Sequence, residues 1–227
     1  MRKQTRLVLV AVAAAAMATT VQAAYTSGDL LVGFTASGAA NDYLFDVGPL
    51  SGLSNGETWT LGANLGGNFS SAQFSGADWG VAGALSLTKT IYSSEGSAGV
   101  PVENPNAFNT IKANVVSLGQ NSTLNAAVQP AQTSAISWYS QTDQPNGTVG
   151  NYFFNNLDNP NVKTASAATL YANDNLGDPA TLLGNFSISA DGNTLTWTGV
   201  PEPSTCGLLA GFGVLALWFR RRINTNK

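Results

Sequence analysis

Histidine is absent from this chain. That removes a Ser-His-Asp triad, a histidine-ligated zinc and the one side chain that ordinarily titrates near neutrality. The single cysteine, Cys206, lies in an apolar run near the end, so the middle of the chain has neither a disulfide nor a thiol nucleophile. The carboxylates closest in sequence are Asp42/Asp46 and Asp174/Asp178. A glycosidase needs two acids facing each other across one sugar bond. On a strand, Asp42 and Asp46 would share a face about 13 Å apart, which is too far. Both pairs read as solvated surface acids. Asn173–Asp178 offers oxygen ligands and a glycine, but it lacks the rest of an EF-hand loop and reads as a plain turn. Four tryptophans in the middle of the chain could stack on sugars. Of these, Trp79 and Trp197 sit on apolar faces and read as core, while Trp59 and Trp138 are left for a binding platform. Asn68, Asn121, Asn146 and Asn185 begin Asn-X-Ser/Thr triplets, which a chain this rich in Asn, Ser and Thr produces by composition. No catalytic, cofactor or metal site is expected.

The chemistry that is written plainly lies at the end. Val200 and Glu202 each precede a proline and are pushed into extended geometry. Pro201 and Pro203 cannot donate to a sheet, so the segment stays open to a protease cleft. Ser204 suits the N-cap of a following helix. Cys206 to Phe219 is a run of fourteen residues without a charge, about 21 Å as helix against a hydrocarbon core of about 30 Å. Arg220, Arg221 and Arg222 then hold the end on the cytoplasmic side, and snorkelling covers part of the shortfall in length. A Gly207/Gly211 pair in the run is attributed to chance rather than to helix dimerisation.

The first residues complement the last. Arg2, Lys3 and Arg6, an apolar core from Leu7 to Ala18, and Val21-Gln22-Ala23 read as a secretory signal peptide at residues 1–23. Residues 24–199 form the exported domain, large enough for one core, and 200–227 form the tail. Once the ends are set aside, the exported domain keeps three lysines (Lys89, Lys112, Lys163) against twelve carboxylates, a net charge of −9. So acidic a domain repels nucleic acid and anionic surfaces.

Pro-Glu-Pro, a short apolar helix and an arginine cluster, in that order, resemble the PEP-CTERM sorting signal of Gram-negative bacteria. The resemblance implies that an exosortase, a membrane protease-transpeptidase, recognises Pro201, Glu202 and Pro203 and processes the protein towards the cell surface. The inner membrane holds it transiently. Such signals accompany exopolysaccharide secretion, so a biofilm-matrix or surface role without enzymatic activity is implied by association. The second reading is a carbohydrate-binding module for extracellular polysaccharide, which requires an exposed Trp59 or Trp138. The third, a carboxylate hydrolase, requires two acids converging in a cleft. The Gly28–Phe34 opening and the Leu170–Trp197 ending also resemble other ectodomains of this family.

The elements that must carry all this are mainly strands. Strands are expected at Gly28–Thr35, Asn41–Val47, Glu57–Leu61, from Trp79 with a separate piece at Thr88–Tyr92, Ala135–Ser140, Thr148–Phe154 and Ala167–Ala172. A short helical turn is expected near Ser70–Phe74, and loops at Gly52–Gly56 and Asn121–Gln132. Trp79, Val81, Gly83, Leu85, Leu87 and Ile91 are expected on one face. One helix stands out, Pro105–Leu118, capped by Asn104, with Phe108, Ile111, Val115 and Leu118 as an apolar stripe and Gly119 closing it. The clearest hairpin joins Asn185–Ala190 to Asn193–Thr198 through Asp191-Gly192. Its register sets Ile188 opposite Leu195 and Phe186 opposite Trp197. The expected fold is mainly β: a β-sandwich-like domain with one amphipathic helix, plus a C-terminal transmembrane helix.

Overall fold

A computed structural model describes residues 25–94, 108–120, 122–142, 161–173 and 180–200. Alternation of small or apolar residues with polar ones produces strands where the sequence signals them. These are β1 (Asp29–Thr35), β2 (Tyr43–Pro49), β3 (Thr58–Thr60), β4 (Asp78–Leu85), β5 (Thr90–Ser94), β8 (Ala168–Asn173), β9 (Thr181–Ile188) and β10 (Thr194–Gly199). Two short pairings, β6 (Ala127–Val128) and β7 (Val162–Lys163), complete a ten-stranded sheet. Its order is β3-β10-β9-β8-β5-β4-β1-β2-β6, with β7 added beside β4, and every pairing is antiparallel.

The expected two-sheet sandwich is replaced by one curled sheet. Its two edges are drawn together by side chains. The Trp59 Nε1–H of β3 donates to Asn125 Oδ1 (3.1 Å), beside β6, and the Tyr43 hydroxyl of β2 donates to the Leu61 carbonyl (3.1 Å), just past β3. Curling brings the exposed ladder edges towards each other, the solution that a closed barrel takes to its limit. Alternation signals a half-buried strand equally well in a sandwich or a curl, so periodicity alone does not separate the two architectures.

The concave face holds the main core. Leu30, Val32, Phe34, Phe45, Trp79, Val81, Leu170, Phe186, Leu195 and Trp197 meet there. Phe34 and Trp79 stack with ring centres 5.3 Å apart and planes 4° from parallel, and Phe186 tilts against Trp197 at 4.6 Å. Each such pair adds to the area effect through ring geometry. One end of the concave face is plugged by α1 (Ala63–Gly67), α2 (Ser71–Gly76) and the link between them, which insert Leu65, Phe74 and Phe69 respectively. Ser70 and Gln73 form a reciprocal capping box on α2, so the short turn expected at Ser70–Phe74 is present. In α1 the backbone winds left-handed through Asn64, Leu65 and Gly66. That conformation is costly for leucine, and complete burial of Leu65 offsets it.

The convex face is covered over part of its width. Helix α3 (Phe108–Gly119) lays Phe108, Ile111, Val115 and Leu118 against Leu31, Ala82, Ala84 and Ile91, as its stripe predicts. Its expected start, Asn104 and Pro105, lies outside the described residues. Ile91 belongs to this outer cluster and not, as expected, to the face of Trp79 and Val81. The turn at residues 86–89 breaks the alternation between β4 and β5, so the phase of β5 is set afresh.

The strand expected at Ala135–Ser140 is instead a turn leading into helix α4 (Trp138–Thr142). Serine chemistry outweighs alternation there. Ser134 Oγ accepts from the Ile136 N–H, and Ser137 Oγ accepts from the Ser140 N–H (3.0 Å), the bond an N-cap makes. The loop expected at Asn121–Gln132 contains β6. The expected strand Thr148–Phe154 and the expected transmembrane helix lie outside the described residues. Among the described residues no helix is long and apolar enough to cross a membrane.

The last hairpin keeps its expected register, Ile188 to Leu195 and Phe186 to Trp197. Its connection is slightly broader than a two-residue turn: Gly192 N–H donates to the Ser189 carbonyl (2.8 Å), and Gly192 takes a positive φ of 70°. Asp191 Oδ1 accepts from Ser189 Oγ and the Asn193 N–H, and these bonds hold its carboxyl below the usual range.

Candidate functional site

Strand β10 delivers the chain to the tail, and its main-chain bonds hold it as far as Val200. The Trp197 N–H donates to the Glu57 carbonyl and the Gly56 N–H to the Trp197 carbonyl, each at 2.9 Å. Gly199 N–H reaches Asn55 Oδ1 (3.1 Å), and Val200 N–H reaches the Leu183 carbonyl (3.0 Å). The chain is therefore held by main-chain bonds up to Val200, whose side is 45% exposed. Close packing tightens this seam. A Cβ on Gly184 would stand 2.4 Å from the Thr198 carbonyl oxygen and 2.6 Å from the Trp197 ring. The next residue is Pro201, which has no N–H to continue the ladder. Pro201, Glu202, Pro203, Arg220, Arg221 and Arg222 themselves lie outside the described residues.

The acids expected at the surface are not there. Asp42 and Asp46 are both fully buried, on the convex side of β2 with Leu44 between them. Asp42 Oδ2 accepts from the Tyr139 N–H (2.6 Å) and so caps α4, while its Oδ1 has no hydrogen-bond partner among the described residues. Burial pushes its pKa up, and the Tyr139 N–H with the nearby Thr35, Gln132 and Ser137 side chains pulls it partly back. Asp46 Oδ1 accepts from the Gly48 N–H (2.9 Å) and Oδ2 from Ser122 Oγ (3.3 Å). Its pKa is pushed up to about 6, chiefly by burial and further by the negative charge of Asp29, against the lowering effect of the Gly48 and Ser122 bonds. Asp29 is itself buried and accepts from the Thr26 N–H and hydroxyl.

These acids act as pins. Each fixes a stretch of the covering layer (Tyr139 by Asp42, Ser122 by Asp46) to the sheet beneath. The sequence signal for their burial is Leu44, which shares a face with both acids and has no reason to face water beside them. Asp174 and Asp178 lie outside the described residues. Among the described residues no group of three acidic or sulfur side chains could hold a metal ion.

All four tryptophans are core. Trp79 and Trp138 are fully buried, and Trp197 and Trp59 are only 4% and 8% exposed. The reading that left Trp59 and Trp138 for a sugar-stacking platform is therefore corrected. Trp59 closes the sheet edges, and Trp138 lies flat on Gly33, where an added Cβ would fall 2.0 Å from its ring. Trp138 Nε1–H also donates to Asn161 Oδ1 (2.8 Å). A cavity of about 390 Å³ opens on the convex side between Leu44, Leu118, Val128 and Ile136. Among the described residues its walls carry no titratable group.

The family model described as the PEP-CTERM protein-sorting motif matches residues 199–222. No curated protein and no solved structure matches the chain. The matched segment begins at Gly199, the final residue of β10, so the sorting signal starts where the sheet ends. The chain thus carries the address by which an exosortase processes its substrates, with export and transient anchoring before surface display.

Proposed function

We propose that residues 24–199 are a non-enzymatic surface or extracellular-matrix domain, delivered by exosortase processing of the tail. The observation that supports this most is the sorting-motif match at residues 199–222, which begins at the final residue of β10. The protease cleft receives an extended Pro201-Glu202-Pro203 segment, whose prolines have no N–H with which to continue a ladder, and among the described residues the last main-chain bond to the sheet is made by Val200. The apolar run then serves as a short-lived anchor, with Arg220, Arg221 and Arg222 left on the cytoplasmic side.

A non-enzymatic role is supported by how the described carboxylates are used. Asp42 and Asp46 are spent on internal bonds, and Asp78 pairs with Lys163 at 2.8 Å. Exopolysaccharide is the matrix partner that the sorting signal suggests by association. The burial of all four tryptophans takes away the stacking surface on which the carbohydrate-binding alternative rested.

The test is mass spectrometry of the mature C-terminus from cells with and without the exosortase. The expected result is loss of Arg220–Lys227 only when the enzyme is present. An intact tail in both strains would overturn the proposal.

A further inference from the structure

In an antiparallel sheet every strand either starts or ends at a given rim, and here one rim gathers the features that face a membrane. The end of β10, the start of β9, the end of β8, the β4–β5 turn, the start of β1 and the end of β2 all share it. Among the described residues five large hydrophobic side chains are exposed, and four of them belong to this rim. Leu87, 90% exposed, tips the β4–β5 turn; Leu182 lies on β9, Val200 follows β10, and Leu124 packs over Gly48 at the end of β2. The fifth, Val116, lies on α3.

Charge is sorted the same way. Lys89, exposed two residues from Leu87, takes a left-handed φ of 56° that helps turn the tip. Among the described residues the rim's acids Asp29 and Asp46 are buried and Glu57 is half-buried, whereas Asp78 and Asp191 sit at the opposite end; Asp174 and Asp178, in the stretch that joins β8 to β9, lie outside the described residues.

From these observations we infer that the rim from which the tail leaves is a lipid-docking surface, seated on the headgroups of the bilayer in which residues 206–219 are anchored. The inference rests on the anchoring read from the sorting motif, because the tether supplies the geometry. Only five residues separate Val200 from Cys206, a reach of about 20 Å even when fully extended. Roughly 6 Å of that is taken up by the headgroup layer on one face of the bilayer. So short a tether makes contact between rim and bilayer intramolecular, and a few apolar side chains then suffice to hold it. Leu87 would enter the interface while Lys89 keeps its ammonium among the headgroups. The domain's net negative charge disfavours anionic lipid, so the surface is a zwitterionic one. Docking in this pose presents the stretch after Val200 at a fixed height and direction to a membrane-embedded protease.

The experiment uses the full chain in phosphatidylcholine vesicles containing a headgroup-level spin-labelled lipid, with a polarity-sensitive fluorophore on one cysteine at a time. The native Cys206 reports the anchor. In a Cys206→Ser background, Leu87→Cys and Leu182→Cys report the rim, and Ala190→Cys reports the opposite end with the same probe. Unchanged tryptophan emission checks the fold of each variant. The expected result is quenching and a blue shift at positions 87 and 182 and neither at 190. Adding Leu87→Asp to the Leu182-labelled protein should lower the ratio of docked to free molecules by about tenfold. Rim labels that behave like the label at 190, while Cys206 is quenched, would overturn docking and leave the anchor standing. An unquenched Cys206 label would remove the anchor reading and docking with it.

Discussion

The two faces of the sheet are built on different terms. The concave face is filled by residues from successive strands, with aromatic rings stacked or tilted on one another and α1 and α2 closing one end. Among the described residues the convex face is closed where α3, α4 and the chain between them lie on it, and there it buries carboxylates as well as apolar stripe residues. Beyond that cover, on β9 and β10, the convex face is Ser187, Thr196 and Thr198 facing water. A core made by alternation tolerates few polar atoms. A face covered afterwards by loops and helices needs polar pins to say where the cover sits. The difference teaches that an acid beside a strand can be structural cement as readily as surface.

The comparison is most severely broken by removing an anchor of the concave core. Trp79→Ala should cost about 3–5 kcal/mol and lower the urea midpoint of the whole domain, because Trp79 stacks on Phe34 in the core that spans most of the strands. On the convex side, Ile111→Ala should cost about 2–5 kcal/mol, and hydrogen exchange should show α3 opening while the β9–β10 amides stay protected. Equal loss of protection on both would mean that the two faces form one unit.

Acidity sharpens the contrast further. The raised pKa of Asp46 means that the folded state binds more protons than the unfolded state between the ordinary carboxylate value and about 6. Stability should therefore fall as pH rises through that window, and Asp42 contributes with the same sign. Melting temperatures should rise between pH 7 and pH 5, and Asp46→Asn should flatten the profile. An unchanged profile in Asp46→Asn would show that the burial of this acid has no energetic consequence. The smallest effect belongs to the open part of the convex face: Ser187→Ala should stay within about 0.5 kcal/mol in the same urea titration.

Legibility followed range. The β9–β10 register was readable to the residue because Phe186, Ile188, Leu195 and Trp197 repeat every second position around a short turn. The α3 stripe was readable for the same local reason. What failed depended on partners far along the chain. Trp138 sits in a stretch that alternates like a strand, yet Ser137 caps a helix there and Gly33, more than a hundred residues earlier, leaves room for the ring. Asp42 and Asp46 looked solvated because nothing near them in sequence announces that residues 122–142 will cover them.

The chain alone determined its address: Pro-Glu-Pro, an apolar run and three arginines act through local backbone geometry and transfer free energy, which need no fold to be read. It also determined the strands with strict alternation and the one amphipathic helix. Tertiary structure decided that the strands form one curled sheet, that Trp59, Trp79, Trp138 and Trp197 are interior, and that two acids are buried pins. It also decided that exposed leucines collect at the rim where the tail departs. Those outcomes turn on which distant segments meet, and local periodicity is the same whichever partner a face finds.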